Sequence, residues 1–355
     1  MTTTTPRIQL GSSACRLLCT ALVTTFALTG SLALPARSSA ASTLPPYGWP
    51  VKPFDRVHPV RGTFGDPRTV FTGGPSRRTL LTGEGSFSFH FGIDVSAPNG
   101  AAVYPVESGT VTAVSQAKGR EYVDVASSNG RSFQYWHITA IVAPGQRVEA
   151  DATVLGHILR PAGHVHLTEL DNGVIVNPLV PGHLRPYADT TPPTVTRIEF
   201  MQSVTGPDVS PRHLHGRLEL VATAQDMPTL PVPGAWNGLP VTPALLSWSV
   251  RSAGTGRIVV PTRVVYDVRT HLPDPATFWR VYARGTHQNM TTFGTHYSYR
   301  QPGAYLFRLA PDGFDTRTLH DGVYELVVTA TDIRGNHGSL VQRFSVRNTP
   351  SVAGA

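Results

Sequence analysis

Apolar residues in this chain come in short runs, many of them at every second position, and almost none at helical spacing. Leu218, Leu220 and Ala222 alternate with their neighbours as the inward side chains of a half-buried strand do. Ala102–Val106, Gly109–Val114 and Tyr122–Val125 have the same strand character. Asn129-Gly130, between Val125 and Phe133, is a hairpin signal. Gly145–Val148 and Val154–Gly156 read as a further turn and strand, and later runs cover 194–200, 217–223, 324–330 and 340–346. The 33 glycines and 31 prolines break the apolar runs too often for long helices. The pattern predicts an all-β chain. The stretch 227–315 is rich in loops and resists assignment, and 69–89, with Gly73, Gly74 and Pro75, reads as a long flexible loop in front of His90.

Composition then divides the chain. Arg7 and Arg16 precede an uncharged apolar stretch from Leu17 to Leu34, and Ser38-Ser39-Ala40 ends in small residues. That order predicts a signal peptide over 1–40, hence a secreted or cell-envelope protein whose mature form does not span a membrane. Residues 41–50 form a proline-rich lead-in. A first domain is expected over 51–187, a linker with Pro192-Pro193 over 188–193, and a second domain over 194–348. The strands of the second, with the turn Asp332-Ile333-Arg334-Gly335-Asn336, resemble an immunoglobulin-like β-sandwich. Asp332 and Asn336 suit turn chemistry better than calcium. Both cysteines, Cys15 and Cys19, fall in the signal, so a mature metal site must use histidine and carboxylate. The net charge of +7 loses Arg7, Arg16 and Arg37 with the signal and falls to +4. That suits an anionic wall polymer and gives no reason to invoke nucleic acid.

Three strings then carry the chemistry: His90-Phe91-Gly92-Ile93-Asp94, Tyr135-Trp136-His137 and His164-Val165-His166. In a strand, i, i+2 and i+4 share a face. His90 and Asp94 would then point the same way with Gly92 leaving room between them, as would Tyr135 with His137, and His164 with His166. In a helix the last pair would diverge by roughly 200°. Four imidazoles and a carboxylate exceed the three ligands of a hydrolytic zinc centre, which leaves two groups to assist.

In order and spacing, His90-x-Gly92-x-Asp94, Tyr135-x-His137 and His164-x-His166 resemble the M23 peptidases of the lysostaphin and LytM type. Gly65-Asp66-Pro67-Arg68 after Phe64 looks like that family's Phe-Gly-x-Arg turn. Val103-Tyr104-Pro105-Val106 with Gly109-Thr110-Val111 is similar to its core strands, and Gly145–Val148 with Leu155-Gly156 to a later step. The resemblance covers about 60 to 170. It implies a LytM-like antiparallel sheet and Zn2+ held by His90, Asp94 and His166. It assigns His137 and His164 as the catalytic imidazoles, and makes the chain a zinc metalloendopeptidase cutting peptide cross-links of peptidoglycan. The chain departs from the family pattern at Ile158–Gly163 and at Leu167-Thr168-Glu169.

The alternative is a non-catalytic wall-binding or activator protein with the same fold, and a zinc carboxypeptidase or amidase is a weaker third reading. His213-Leu214-His215 repeats the His-x-His spacing without partners and is expected to bind nothing, and His157 is read as structural. Tyr135 and Trp136 serve strand packing or substrate contact. Asp124 and Glu169 are supporting residues, and Glu169 is a candidate to orient a site histidine.

Overall fold

The computed structural model describes residues 44–73, 76–289 and 302–348, with only the backbone of Arg77. The expected signal and both cysteines lie outside the described residues. In the first half the alternating runs become β1 (Val60–Gly62), β2 (Pro67–Phe71), α1 (Arg77–Thr82), β3 (Gly85–Phe89), β4 (Ile93–Ser96) and β5 (Ala102–Val103). They continue as β6 (Gly109–Ala117), β7 (Arg120–Ser127), β8 (Arg131–Trp136), β9 (Ile138–Ala140), β10 (Arg147–Val148), β11 (Gly156–Ile158), β12 (His164–Asp171) and β13 (Val174–Val176).

The principal sheet runs β1-β4-β12-β8-β7-β6-β10, antiparallel throughout, with β13 paired to β12. Its pleat separates two faces. Val123, Val125, Phe133, Tyr135, Val165 and Leu167 bury one face in a core shared with Val103, Ile138 and Ile158 of the small sheet β5-β11-β9. The residues between them, Trp136 and His166 among others, face away from that core towards a cleft. Gly130 closes the β7–β8 hairpin at φ 91°, a left-handed conformation that glycine takes without a Cβ clash.

The second half holds β14 (Thr194–Met201), β15 (Arg217–Gln225), β16 (Leu245–Ser252), β17 (Ile258–Asp267), α2 (Phe278–Val281), β18 (Leu306–Arg308), β19 (Phe314–Asp315), β20 (Gly322–Thr331) and β21 (His337–Val346). They form two antiparallel sheets, β14-β15-β18 with β19 on β15, and β17-β16-β20-β21. Leu220, Trp248, Phe307, Leu326 and Phe344 pack in the core they share. β16 and β17 lie inside the stretch that sequence pattern left unassigned. The register of β17 on β16 shifts at three places, which blurs its period of two.

The described residues of 69–89, expected as a flexible loop, carry two paired strands and a short helix instead. β2 and β3 pair from Pro67↔Phe89 to Phe71↔Gly85. Phe89, with Phe64, is buried in the core of the second half. Phe87 meets Trp279 edge to face at 4.7 Å, and the Leu80 carbonyl accepts from the Gly285 N–H at 2.8 Å. Aromatic side chains at 87 and 89 outweigh the glycine and proline near the tip, whose residues 74 and 75 lie outside the described set. Further bonds join the halves. Asp66 Oδ1 accepts from the Thr242 N–H at 2.7 Å, and the Tyr282 hydroxyl donates to the Gly65 carbonyl at 3.0 Å. The described residues pack as one compact unit. Among the described residues no helix is long and apolar enough to cross a membrane.

Candidate metal centre and its cleft

Asp94 lies on β4 and His166 on β12, and the two are register partners. His90 reaches them from the link between β3 and β4. His90 Nε2 is 2.7 Å from His166 Nδ1 and 3.2 Å from Asp94 Oδ1, and His166 Nδ1 is 3.1 Å from the same oxygen. A continuous strand would hold residues four apart at about 13 Å. The expectation that His90 and Asp94 sit on one strand is therefore corrected. The chain bends at Gly92, and the bend brings them together. A Cβ on Gly92 would lie 2.3 Å from the Leu167 carbonyl oxygen and 2.7 Å from His166 Nε2, so this position excludes a side chain.

The outer bonds orient these groups. His90 Nδ1 donates to the Thr63 carbonyl at 2.8 Å, which leaves Nε2 with its lone pair inward. His166 Nε2 lies 2.8 Å from Thr168 Oγ1, and with the ring proton held in that bond the Nδ1 lone pair also faces inward. Arg68 Nη2 donates to Asp94 Oδ2 at 2.8 Å, leaving Oδ1 for the centre. Burial pushes the His90 imidazole down to about 3, with Arg68 adding to it, and burial lowers His166 too. Burial alone would raise the Asp94 carboxyl, but His90, His164 and Arg68 outweigh it and hold it well below the usual range. Two neutral imidazoles and one carboxylate therefore aim three acceptor atoms at one point. Acceptors 2.7–3.2 Å apart repel unless a cation lies between them. About 3.3 Å separates the ligand atoms of a tetrahedral ion with bonds near 2.0 Å, so the donor set and its spacing fit a small divalent metal.

His164 shares the face of His166, with Nε2 3.4 Å from Asp94 Oδ1. Its Nδ1 is 2.5 Å from Arg61 Nη2 and 2.8 Å from the Ala162 carbonyl. The guanidinium can only donate and the carbonyl can only accept, so the two contacts at Nδ1 call for opposite tautomers, and the ring position, with Nε2 turned to Asp94, is what the geometry fixes. His137 follows β8 at φ 64°, with its N–H on the Glu121 carbonyl at 2.8 Å. This left-handed residue breaks the alternation of the strand. Tyr135 is fully buried, and its hydroxyl accepts from the Val106 N–H at 2.8 Å. Tyr135 and His137 thus do not share a face. Trp136 and His137 both line the cleft instead, and the His137 ring lies 4.7 Å from that of His164 and 6.4 Å from that of His166. Burial, then His164, lowers the His137 imidazole to about 4.

The cleft measures about 560 Å³. Arg61, Phe91, Trp136 and His137 line it from the first half, and Trp236, Gln288, Asn289 and Tyr305 from the second. The second set was not legible in sequence, because nothing in a period-two pattern says that a distant loop folds back over a sheet. Thr168 was missed, although its place two residues beyond His166 on a regular strand is a signal that could have found it.

Glu169 does not orient a site histidine. It faces the core, where it accepts from the Tyr47 hydroxyl at 2.5 Å and from His183 Nδ1 at 2.9 Å. Asp124 accepts from Gln134 Nε2 at 3.3 Å. His157, His213 and His215 are exposed, and none belongs to a three-residue ligand group among the described residues. Asp189, Asp226 and Asp332 form a second acidic group. Asp332 Oδ1 there accepts from the N–H of Arg334 and of Asn336, as turn chemistry predicts.

Residues 88–178, which contain all five residues of the constellation, match the sequence model of Peptidase family M23. No curated protein matches the chain. Among solved structures it is similar to the SpoIIQ–SpoIIIAH pore-forming complex, at 22% identity over 39% of this chain and 90% of that one, with a TM-score of 0.30. A zinc-containing peptidase from Vibrio cholerae aligns at 22% identity over 37% of this chain and 39% of that one, with a TM-score of 0.29. The catalytic domain of lysostaphin from Staphylococcus simulans aligns at 18% over 33% and 86%, with a TM-score of 0.25.

Proposed function

We propose that this chain, whose residues 88–178 match the sequence model of peptidase family M23, is a secreted zinc metalloendopeptidase that hydrolyses peptide cross-links of bacterial peptidoglycan. The observation that carries the reading is the meeting of His90 Nε2, Asp94 Oδ1 and His166 Nδ1 beside two further imidazoles in an open cleft. These three residues would hold the ion. When bound, zinc supplies Lewis acidity, which acidifies water and polarises an amide carbonyl. His137 is neutral at physiological pH and half-exposed in the cleft, so it accepts the proton of the attacking water and returns it to the leaving amine as the C–N bond breaks. His164, whose Nε2 faces the centre, donates from that nitrogen in its Nε2–H tautomer to the oxygen that gains charge as the amide carbon becomes tetrahedral. Arg61 holds that ring from behind at Nδ1. Phe91, Trp136 and Trp236 give the cleft the apolar walls that seat an extended peptide and exclude water. In this reading residues 1–40 direct export, 51–187 form the catalytic domain, and 194–348 form a second domain that completes the cleft.

The test is release of soluble muropeptides from purified cell wall, alongside zinc content, for the wild-type protein and His166→Ala. Release by the zinc-loaded protein, absent in the variant, is expected. Stoichiometric zinc without release from any wall would replace the enzyme with a non-catalytic wall-binding or activator protein. Product masses separate an endopeptidase from a carboxypeptidase or amidase.

A further inference from the structure

Arg61 is an arginine in an unusual position. It is 8% exposed, it lines the cleft, and its Nε has no hydrogen-bond partner. No carboxylate of the described residues lies within 4 Å of it, whereas Arg68 in the same cleft pairs with both Asp66 and Asp94. What holds Arg61 is the face of Trp236, 4.2 Å from ring centroid to guanidinium carbon, and the Nδ1 of His164. A buried guanidinium with no carboxylate in contact is costly, and Asp94, whose charge acts on it from beyond 4 Å, is already paired with Arg68. Neutral aromatic and imidazole partners satisfy its shape and part of its hydrogen bonding, but not its charge. The charges of Arg61, Arg68, Asp66 and Asp94 cancel, so a divalent ion at the centre would leave the cleft at about +2. Burial lowers the Arg61 guanidinium to about 10, which leaves it charged at neutral pH.

We propose that Arg61 and Trp236 form a composite subsite, built jointly by the two halves of the chain, that takes a free carboxylate of the peptide substrate next to the bond being cut. The subsite rests on the peptidase reading above for its substrate class. A carboxylate suits it better than a neutral amide. It supplies the missing charge and accepts from the guanidinium edge, while the Trp236 face keeps that edge turned to the cleft. The second half would then help select substrate as well as wall the cleft.

The test is calorimetric binding of peptidoglycan stem peptides whose carboxylates are free or amidated. It uses the zinc-loaded His137→Ala protein, in which turnover is stopped. The free form is expected to bind about tenfold more tightly or better. That preference should vanish in His137→Ala/Arg61→Gln and shrink in His137→Ala/Trp236→Ala, with circular dichroism of both unchanged. An Arg61→Lys exchange keeps the charge and should keep part of the preference. Equal binding of the two forms, including none of either at millimolar concentration, overturns the subsite. So does an Arg61→Gln effect that is the same for both peptides, since that would leave Arg61 only a support for His164. If the preference holds while the wild-type protein never hydrolyses wall, the peptidase reading fails and the anion subsite stands. Hydrolysis without any preference leaves the opposite.

Discussion

Thr168 decides which nitrogen of His166 faces the centre. Its hydroxyl takes Nε2 at 2.8 Å, and Nδ1 is turned inward as a result. Thr168→Val keeps the shape and removes the acceptor. The expected outcome is a loss of about 10–100-fold in metal affinity, measured by competition with a chelator, with Thr168→Ser close to wild type. Unchanged affinity in the valine variant would mean that packing alone orients the ring. The His164–His166 pair was legible at this scale, because β12 is a regular strand and period two holds along it. Two inferences by the same rule failed where the backbone is not a strand. His90 and Asp94 were expected on one strand, but the chain leaves strand geometry at Gly92, and that bend brings His90 Nε2 to 3.2 Å from Asp94 Oδ1. The positive φ of His137 puts it on the side of Trp136 and not of Tyr135. Neither event has a local sequence signal beyond the glycine itself.

Among the elements, the β2–β3 hairpin is the one whose sequence misleads. Its glycine-rich tip reads as loop, but Pro67–Phe71 and Gly85–Phe89 are fully paired, and Phe89 is 3% exposed in the core of the second half. Phe89 immediately precedes His90, so the hairpin fixes one end of the metal-facing segment. Phe89→Ala should cost about 3–5 kcal/mol of stability in urea unfolding, through the lost burial and the cavity left behind. Deleting part of 69–89 should likewise reduce folding and activity together. A loss under about 1 kcal/mol for Phe89→Ala would show that the hairpin is only loosely docked. The hairpin at Asn129-Gly130 was legible for the opposite reason. Its turn residues and its flanking alternation agree, and the structure uses both.

In the molecule as a whole, the two halves meet through buried polar groups as well as aromatic ones. Asp226 lies among Asp189, Asp332 and Asp66, and burial, reinforced by these neighbours, raises its carboxyl to about 8. Burial also raises Asp66, to about 6. A carboxyl raised in the folded state binds more protons folded than unfolded between the two pKa values, so stability falls as pH rises through that window. The lowered His90, His137 and His166 imidazoles act the other way, gaining stability as pH rises to about 6.5, so the decline should show above them, from about pH 6.5 to about pH 8, by an amount on the order of 2 kcal/mol. Asp226→Asn should flatten most of that slope. A wild-type profile that rises over the same window would show that the acids are compensated in solution. The all-β character was legible in the sequence but this junction was not, since long-range burial of acids and the return of Trp236 and Tyr305 to the cleft depend on topology.

Metal content of purified protein after exhaustive dialysis, measured for the wild type and for five single alanine exchanges, tests the central claim most directly. About one equivalent of zinc is expected in the wild type, His137→Ala and His164→Ala, and far less in His90→Ala, Asp94→Ala and His166→Ala. Retention of the ion by all five variants, or its absence from the wild type under saturating zinc, would contradict the account.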